Sequence, residues 1–307
     1  MSSVVENPGP QIPAQVQRQH PGLEHPMQPR PQFFSTAYKP AECLLTLVTI
    51  ASKLDGRVAL ITGGDSGIGR SIACLYALEG ADVAIVYKGQ IEEEDKEETL
   101  QVIHKLTNGK AKVIACPADI GFDDQCKCVV DSVVRKFGRI DILVNNAAEQ
   151  FYKESIVEIT PEQLERTFRS NIFSQFFLTR HCLRHMKKGS CIINTTSIVA
   201  YRGEAGLLDY CSTKGAIVSF TRGLALQLVK RGIRVNGVAP GPIWTPLIPA
   251  SFPADKVEKG KWGENVPMKR PGQPFEVATS YVFLASQDAS YITGQVLHPN
   301  GGAIVNA

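Results

Sequence analysis

From Leu54 onward, short β-branched runs alternate with amphipathic stretches that end in glycine, and this alternation restricts the fold more than any single residue does. Each helical stretch carries the chain back across a sheet, so successive strands run parallel. Seven strands are expected, at Val58 to Ile61, Val83 to Val86, Val113 to Ala115, Ile142 to Val144, Ile192 to Asn194, Val235 to Val238, and Gln295 to His298. Gly80, Gly138, Gly189 and Gly232 mark helix ends, where a left-handed residue closes the last turn. Thr160, Pro161 and Gln163 supply the cap, first-turn proline and reciprocal capping partner of a helix start. Right-handed crossovers then yield an α/β doubly wound parallel sheet with helices on both faces, one domain over residues 53–307. No internal repeat or Pro/Ser linker divides it.

The preceding segment differs in kind. Residues 1–40 hold eight of the 19 prolines, several glutamines and few aliphatics, so residues 1–52 are expected to be a disordered or loosely draped arm. It contains one apolar stretch, Cys43 to Ala51, about half the ~20 residues a membrane-spanning helix needs. The formal charge is +3, with basic and acidic residues interspersed, which argues against nucleic acid as a partner. Eight cysteines form no CxxC pair and no regular framework. Free thiols in a reducing compartment, the cytoplasm or a chloroplast, are the expectation.

The first strand runs into Thr62-Gly63-Gly64-Asp65-Ser66-Gly67-Ile68-Gly69 and then into a helix periodic in Ile72, Ala73, Leu75 and Tyr76. Strand, glycine loop and helix in that order form a pyrophosphate cradle. Gly63 permits the tight turn, Gly67 admits a close approach of backbone to the anion, and Gly69 lets helix pack on strand, while free helix N–H groups face the ligand. This is the signature of a Rossmann fold. Asp119 and the run Asn145 to Ala148 end the third and fourth strands, at the sheet edge where such folds bind ligands. Asp119 also reads as an N-cap for the helix through Phe122 to Phe137.

Ser197 follows the fifth strand, and thirteen residues later comes Tyr210-Cys211-Ser212-Thr213-Lys214. Four-residue spacing sets Tyr210 and Lys214 on one helix face. A phenol titrates near ~10, and a neighbouring ammonium favours the phenolate, bringing the pair into range for proton transfer.

With TGGDSGIG at 62–69, NNAA at 145–148, Asn171, Ser197, YCSTK at 210–214 and PGPIWT at 240–245, the chain resembles the short-chain dehydrogenase/reductase family from about Leu54 to its end. Through GGDSGIGR, NNAAEQ, NIFSQFFLTRH, APGPIWTPLIPASF and GQVLHPNGG it most resembles the plant group of glucose and ribitol dehydrogenase homologues, also described as NADPH-dependent aldehyde reductases. The resemblance implies a tetrad of Asn171, Ser197, Tyr210 and Lys214. Tyr210 would exchange a proton with the substrate oxygen and Ser197 would hold that oxygen. Lys214 would bind the nicotinamide ribose and lower the Tyr210 pKa, and Asn171 would hold a water. It further implies a cofactor site of Gly63, Ser66, Gly67, Ile68, Gly69, Lys88, Asp119, Ile120, Asn145, Ala147, Tyr210, Lys214, Pro240, Gly241, Ile243 and Thr245. A homo-oligomer, tetramer or dimer, built on two long helices near 160–187 and 208–230 also follows from it. Ala148 stands where the family commonly has glycine, and the 43–51 stretch has no counterpart, reading as an insertion or a retained intron.

The second strand ends Val86-Tyr87-Lys88, with no carboxylate to accept from a ribose 2′-OH and an ammonium able to meet a 2′-phosphate. NADP(H) is therefore expected over NAD(H). After Thr245, a proline-rich segment with Leu247, Ile248, Phe252, Trp262 and Met268 is expected to be a mobile lid over a small carbonyl or polyol substrate, before the helix at Glu276. His181 and His185 have no third ligand and read as packing residues, so no metal is expected; Glu92 to Asp95 read as a solvated helix start. The expected activity is hydride transfer between NADP(H) and a small aldehyde, sugar or polyol. The competing reading is a silent nucleotide-binding sensor, against which the complete tetrad argues.

Overall fold

Residues 15–17, 20, 22–35, 52–253 and 263–305 are described by the computed structural model. Seven strands form one wholly parallel sheet: β1 (Val58–Thr62), β2 (Asp82–Tyr87), β3 (Val113–Pro117), β4 (Ile142–Asn145), β5 (Cys191–Thr195), β6 (Arg234–Val238) and β7 (Val296–Leu297). Their order is β3-β2-β1-β4-β5-β6-β7. Every expected strand is present; six extend one or two residues further, and β7 is shorter at both ends. The helices are α1 (Gly67–Leu78), α2 (Glu93–Leu106), α3 (Asp123–Phe137), α4 (Pro161–Phe168), α5 (Ser174–Cys182), α6 (Val199–Arg202), α7 (Leu208–Leu228), α8 (Leu247–Ser251) and α9 (Pro274–Ala285).

The pleat sorts the strand residues into two cores, because successive side chains point to opposite faces. Ala59, Ile61, Val83, Ile85, Ile142, Val144 and Ile193 pack with α1 and α9, and with Ile103 of α2. Leu60, Ala84, Val86, Leu143, Ile192 and Val235 pack with Val129 and Val133 of α3, Leu178 of α5, and Leu224 and Leu228 of α7. Both faces are covered, which explains why these strands are continuously apolar rather than alternating. Tyr76 binds the two outer helices of the first layer by donating its hydroxyl to the Tyr281 carbonyl, 3.0 Å away. The strand order reverses between β1 and β4, so the loops at their carboxyl ends diverge and open a cleft.

Local signals hold up at the helix ends. Gly138 and Gly232 are left-handed caps, with φ of 76° and 66°. The Thr160 hydroxyl accepts from the Gln163 N–H at 3.2 Å, ahead of Pro161. The reciprocal half of that capping box is absent: the Gln163 amide donates to Asp209 on α7 at 3.0 Å, a tertiary partner that competes with the local one.

The arm is not loosely draped where it is described. Glu24 and Met27 are fully buried, and Met27 packs with Trp244 and Ile248. The Trp244 indole donates to the Pro29 carbonyl at 2.8 Å, Ser71 donates to the Phe33 carbonyl at 2.6 Å, and the Phe275 N–H donates to Gln32 at 3.2 Å. Prolines lower the entropy of the free chain, so backbone hydrogen bonds and a few buried side chains are enough to dock a segment poor in aliphatics. The Cys43 to Ala51 stretch lies outside the described residues, as does Trp262. Among the described residues no helix is long and apolar enough to cross a membrane, and no cluster of side chains could hold a metal ion.

Candidate active site

The cleft at the β1/β4 divergence has a volume of about 420 Å3 and runs from the glycine loop to Ser197 and Tyr210. Its floor is tied together by Thr62, whose hydroxyl accepts from the N–H groups of Asn146 and Ala147 at 2.8 and 3.0 Å. Gly63, Ser66, Gly67 and Ile68 line it, with Gly63 and Gly67 at φ of 62° and 51°, a region where a side chain is strained. Gly69 does not line the cleft. A Cβ there would sit 1.8 Å from the Gly63 carbonyl oxygen, so its hydrogen is what lets α1 begin directly under the loop.

β5 delivers Ser197 and α7 delivers Tyr210 and Lys214 to the inner end of the same cleft. The Ser197 hydroxyl is close enough to the Tyr210 phenol to favour its ionised form. Lys214 is buried, donates to the Thr195 carbonyl at 2.9 Å, and lies 5.2 Å from the centre of the Tyr210 ring. The start of α7 is braced by Asp209, which accepts from the Tyr210 N–H at 2.8 Å on one oxygen and from Gln163 and Thr167 on the other. Burial pushes the Tyr210 phenol well above its ordinary value and brings the Lys214 ammonium down to about 7. Loss of water acts on each group against its charged form, the phenolate of Tyr210 and the ammonium of Lys214.

Asn171 sits behind the cleft wall. It lies in a π turn, Arg169–Phe173, that joins α4 to α5, and it is fully buried, outside the cleft lining. Its amide is occupied by protein: the oxygen accepts from the Glu149 N–H at 2.8 Å, and the nitrogen donates to the Glu149 carbonyl at 2.8 Å and to Thr213 at 3.1 Å. The side chain braces the loop after β4 against α7. π turns of this sort concentrate at functional sites.

The outer end of the cleft is charged. Glu149 receives a fork from Arg166 at 2.8 and 2.6 Å and the Lys88 ammonium at 2.8 Å; Arg166 also reaches Asp119 at 2.7 Å. Burial alone would raise the Glu149 carboxyl, but Arg166 and Lys88 reverse it, down to about 2. Lys88 is thus a paired cation, not an isolated one. Asp119 lines the cleft and accepts from the Gly121 N–H at 3.0 Å, two residues on, while α3 begins later at Asp123 without it as a cap. Sequence reasoning passed over Glu149 and Arg166. The only signal was that Glu149 stands directly after NNAA, where a charge at the edge of a buried strand needs a partner.

Ile120, Ala147, Pro240, Gly241, Ile243 and Thr245 also line the cleft. Asn145 does not; its amide donates to Asn194 at 2.9 Å, and Asn194 donates to Thr221, a buried chain behind the sheet edge. The acidic run after β2 is not wholly solvated. Asp95 and Glu92 are buried, because Asp95 takes two arm N–H groups and faces Arg70, and Glu92 takes the Lys88 N–H. Burial, and then Asp65, push the Glu92 carboxyl up to about 9. Of the expected lid, Leu247, Ile248 and Phe252 line the cleft, whereas Met268 faces away and is two-thirds exposed. His181 pairs with Asp123 at 2.9 Å.

The donor set fits a dinucleotide carrying phosphates. It has side-chain-free backbone at Gly63 and Gly67, the amino end of α1, cations at Lys88 and Arg166, and a hydroxyl pair with an ammonium at the far end.

A family profile described as enoyl-(acyl carrier protein) reductase matches residues 63–303. The chain is 60% identical over 299 residues to "Glucose and ribitol dehydrogenase" of Daucus carota, covering 97% of this chain and 99% of the relative. It is 61% identical over 299 residues to "NADPH-dependent aldehyde reductase 1, chloroplastic" of Arabidopsis thaliana, covering 96% and 99%. Among solved structures, a short chain dehydrogenase from Burkholderia cenocepacia J2315 in complex with NADP superimposes with a TM-score of 0.75 at 31% identity, over 81% of this chain and 98% of that one.

Proposed function

The chain belongs to the short-chain dehydrogenase/reductase family and is an oxidoreductase acting on CH–OH or carbonyl groups, and from that premise we propose that it reduces small aldehydes, or oxidises the matching sugar or polyol, with NADP(H). The observation that carries this reading is the meeting of Ser197, Tyr210 and Lys214 at one end of a cleft whose other end is the glycine loop. Gly63, Ser66 and Ile68 would hold the pyrophosphate, with Gly67 leaving room for it, Lys88 and Arg166 the 2′-phosphate, and Pro240, Gly241, Ile243 and Thr245 the nicotinamide half. The nicotinamide, when bound, supplies or accepts the hydride. Ser197 holds the substrate oxygen by hydrogen bonding, and Tyr210 gives that oxygen its proton during reduction. Lys214, pinned by the Thr195 carbonyl, is positioned against the ribose hydroxyls. Leu247, Ile248 and Phe252 exclude water from the substrate side and favour a short chain with an apolar flank.

The preference for NADP(H) rests on Lys88 and Arg166 and on relatives named for NADPH or solved with NADP. The exposed apolar residues of α4 and α5 (Leu164, Phe176) and of α7 (Leu226) support a homo-oligomer assembled through those helices. Free thiols throughout the described residues suit a reducing compartment, the cytoplasm or the chloroplast. The test is a 340 nm assay with NADPH and NADH against a panel of short aldehydes, and with NADP against glucose, ribitol and related polyols. Turnover with at least one carbonyl or polyol, faster with the phosphorylated cofactor, is the expected result. Cofactor binding without turnover on any member would sink the reading.

A further inference from the structure

The described residues of the arm make contacts at three places around the cleft. Beside β4, the His20 ring lies against Phe151 with centroids 4.4 Å apart, close enough to Glu149 and Lys88 to feel both charges. At the middle, Gly22 lines the cleft and approaches the substrate lobe so closely that a Cβ there would sit 2.1 Å from the Pro246 carbonyl oxygen. The Gln17 N–H donates to the Pro249 carbonyl on the same lobe, at 2.7 Å. At the far wall, the Glu24 carboxylate accepts from the Gly67 N–H at 2.5 Å and meets Arg70 at 2.6 Å. The Glu24 and His25 N–H groups in turn donate to Asp95 at 2.7 and 2.8 Å.

We propose that His20, Gly22 and Glu24 belong to the cofactor site: the arm is a strap that forms the outer wall of the nucleotide channel, and Glu24 is the positioning residue that pins the strap to the glycine loop. Glu24 does not line the cleft. It takes the Gly67 N–H from behind the loop and leaves Ile68, which does line it, to face an anion. A fully buried carboxylate and guanidinium are costly to desolvate, and an apolar contact of equal volume would serve stability as well or better. What the ion pair adds is a fixed register: it joins an arm residue to the first turn of α1, on which the backbone donors of the pyrophosphate cradle depend. A strap held at both ends must yield before a nucleotide beneath it can leave, so its effect is on cofactor release.

This inference rests on the reading of the cleft as a nicotinamide dinucleotide site, and the test separates the two. NADPH is bound to the full-length wild type, Glu24→Ala, Glu24→Gln and His20→Ala, and its release is followed by loss of bound-NADPH fluorescence on mixing with excess NADP. Release from Glu24→Ala is expected to be about tenfold faster, the scale of a lost hydrogen bond to a charged group. Glu24→Gln keeps an acceptor for Gly67 and stays within about threefold of wild type, on the scale of a neutral hydrogen bond. His20→Ala, a change on a partly exposed ring, also speeds release and carries the comparison if Glu24→Ala does not fold. Without any nucleotide, amide hydrogen exchange at 67–70 should quicken in Glu24→Ala while β1 and β4 keep their protection. Equal release from all folded variants overturns the strap; a wild type that binds no NADPH overturns the functional reading beneath it.

Discussion

At the residue scale, burial has moved Tyr210 and Lys214 in opposite directions, the phenol up and the ammonium down. Reduction needs a protonated phenol as acid, so kcat/KM for an aldehyde should be level through neutral pH. Oxidation needs the deprotonated form, so kcat/KM for a polyol should climb as pH rises into the alkaline range. Paired pH profiles check this, and an oxidative profile that falls with pH contradicts it. Tyr210→Phe keeps the ring and loses the proton, and should lower turnover by roughly 10²–10⁴-fold while NADPH binding holds. Near-normal turnover would remove Tyr210 from the proton path. Lys88 and Glu149 form a balance of charge. Lys88→Ala should lower the NADP/NAD ratio of kcat/KM by about tenfold, and Glu149→Gln, which releases both Lys88 and Arg166 from their shared acid, should raise it. A ratio unmoved by either change takes this cluster out of cofactor selection.

At the element scale, the strand–loop–helix unit is held by backbone contacts that no side chain can relax. Gly69→Ala drives a methyl against the Gly63 carbonyl oxygen, and the surrounding turn is backbone on both sides. A cost of about 1–3 kcal/mol is expected, with a lower melting temperature and lost NADPH binding. A variant that melts and binds as wild type would refute the packing role given to Gly69. That role was legible from spacing alone, as were the strands and the Thr160 cap, because each depends on residues within one turn or one pleat. The second half of the capping box was not. Gln163 and Asp209 are 46 residues apart, and their meeting depends on α4 lying against the start of α7.

At the scale of the whole molecule, two apolar cores on either side of a parallel sheet fix where the cleft opens, and the exposed apolar residues of α5 and α7 are where the proposed assembly is tested. Leu226 is 79% exposed and Phe176 52%, apolar area that an interface between copies would cover. Phe176→Glu is expected to shift sedimentation velocity toward a smaller species with the circular dichroism unchanged. An unchanged sedimentation coefficient would assign the assembly, if any, to another face.

The sequence by itself determined the parallel sheet, the glycine loop and the serine, tyrosine and lysine that meet in the cleft, because hydrophobic period and short spacings act within one element and survive in any context. Only the tertiary structure decided which charges are buried and with whom. Arg70 and Glu24, 46 positions apart, become partners because the arm docks against α1 and α2, and Asn171 and the Glu149 backbone, 22 apart, because a crossover returns the chain to the loop after β4. The upward pull on the Tyr210 phenol belongs to the same class: it follows from the loss of water around the ring, a quantity that depends on every segment packed over it.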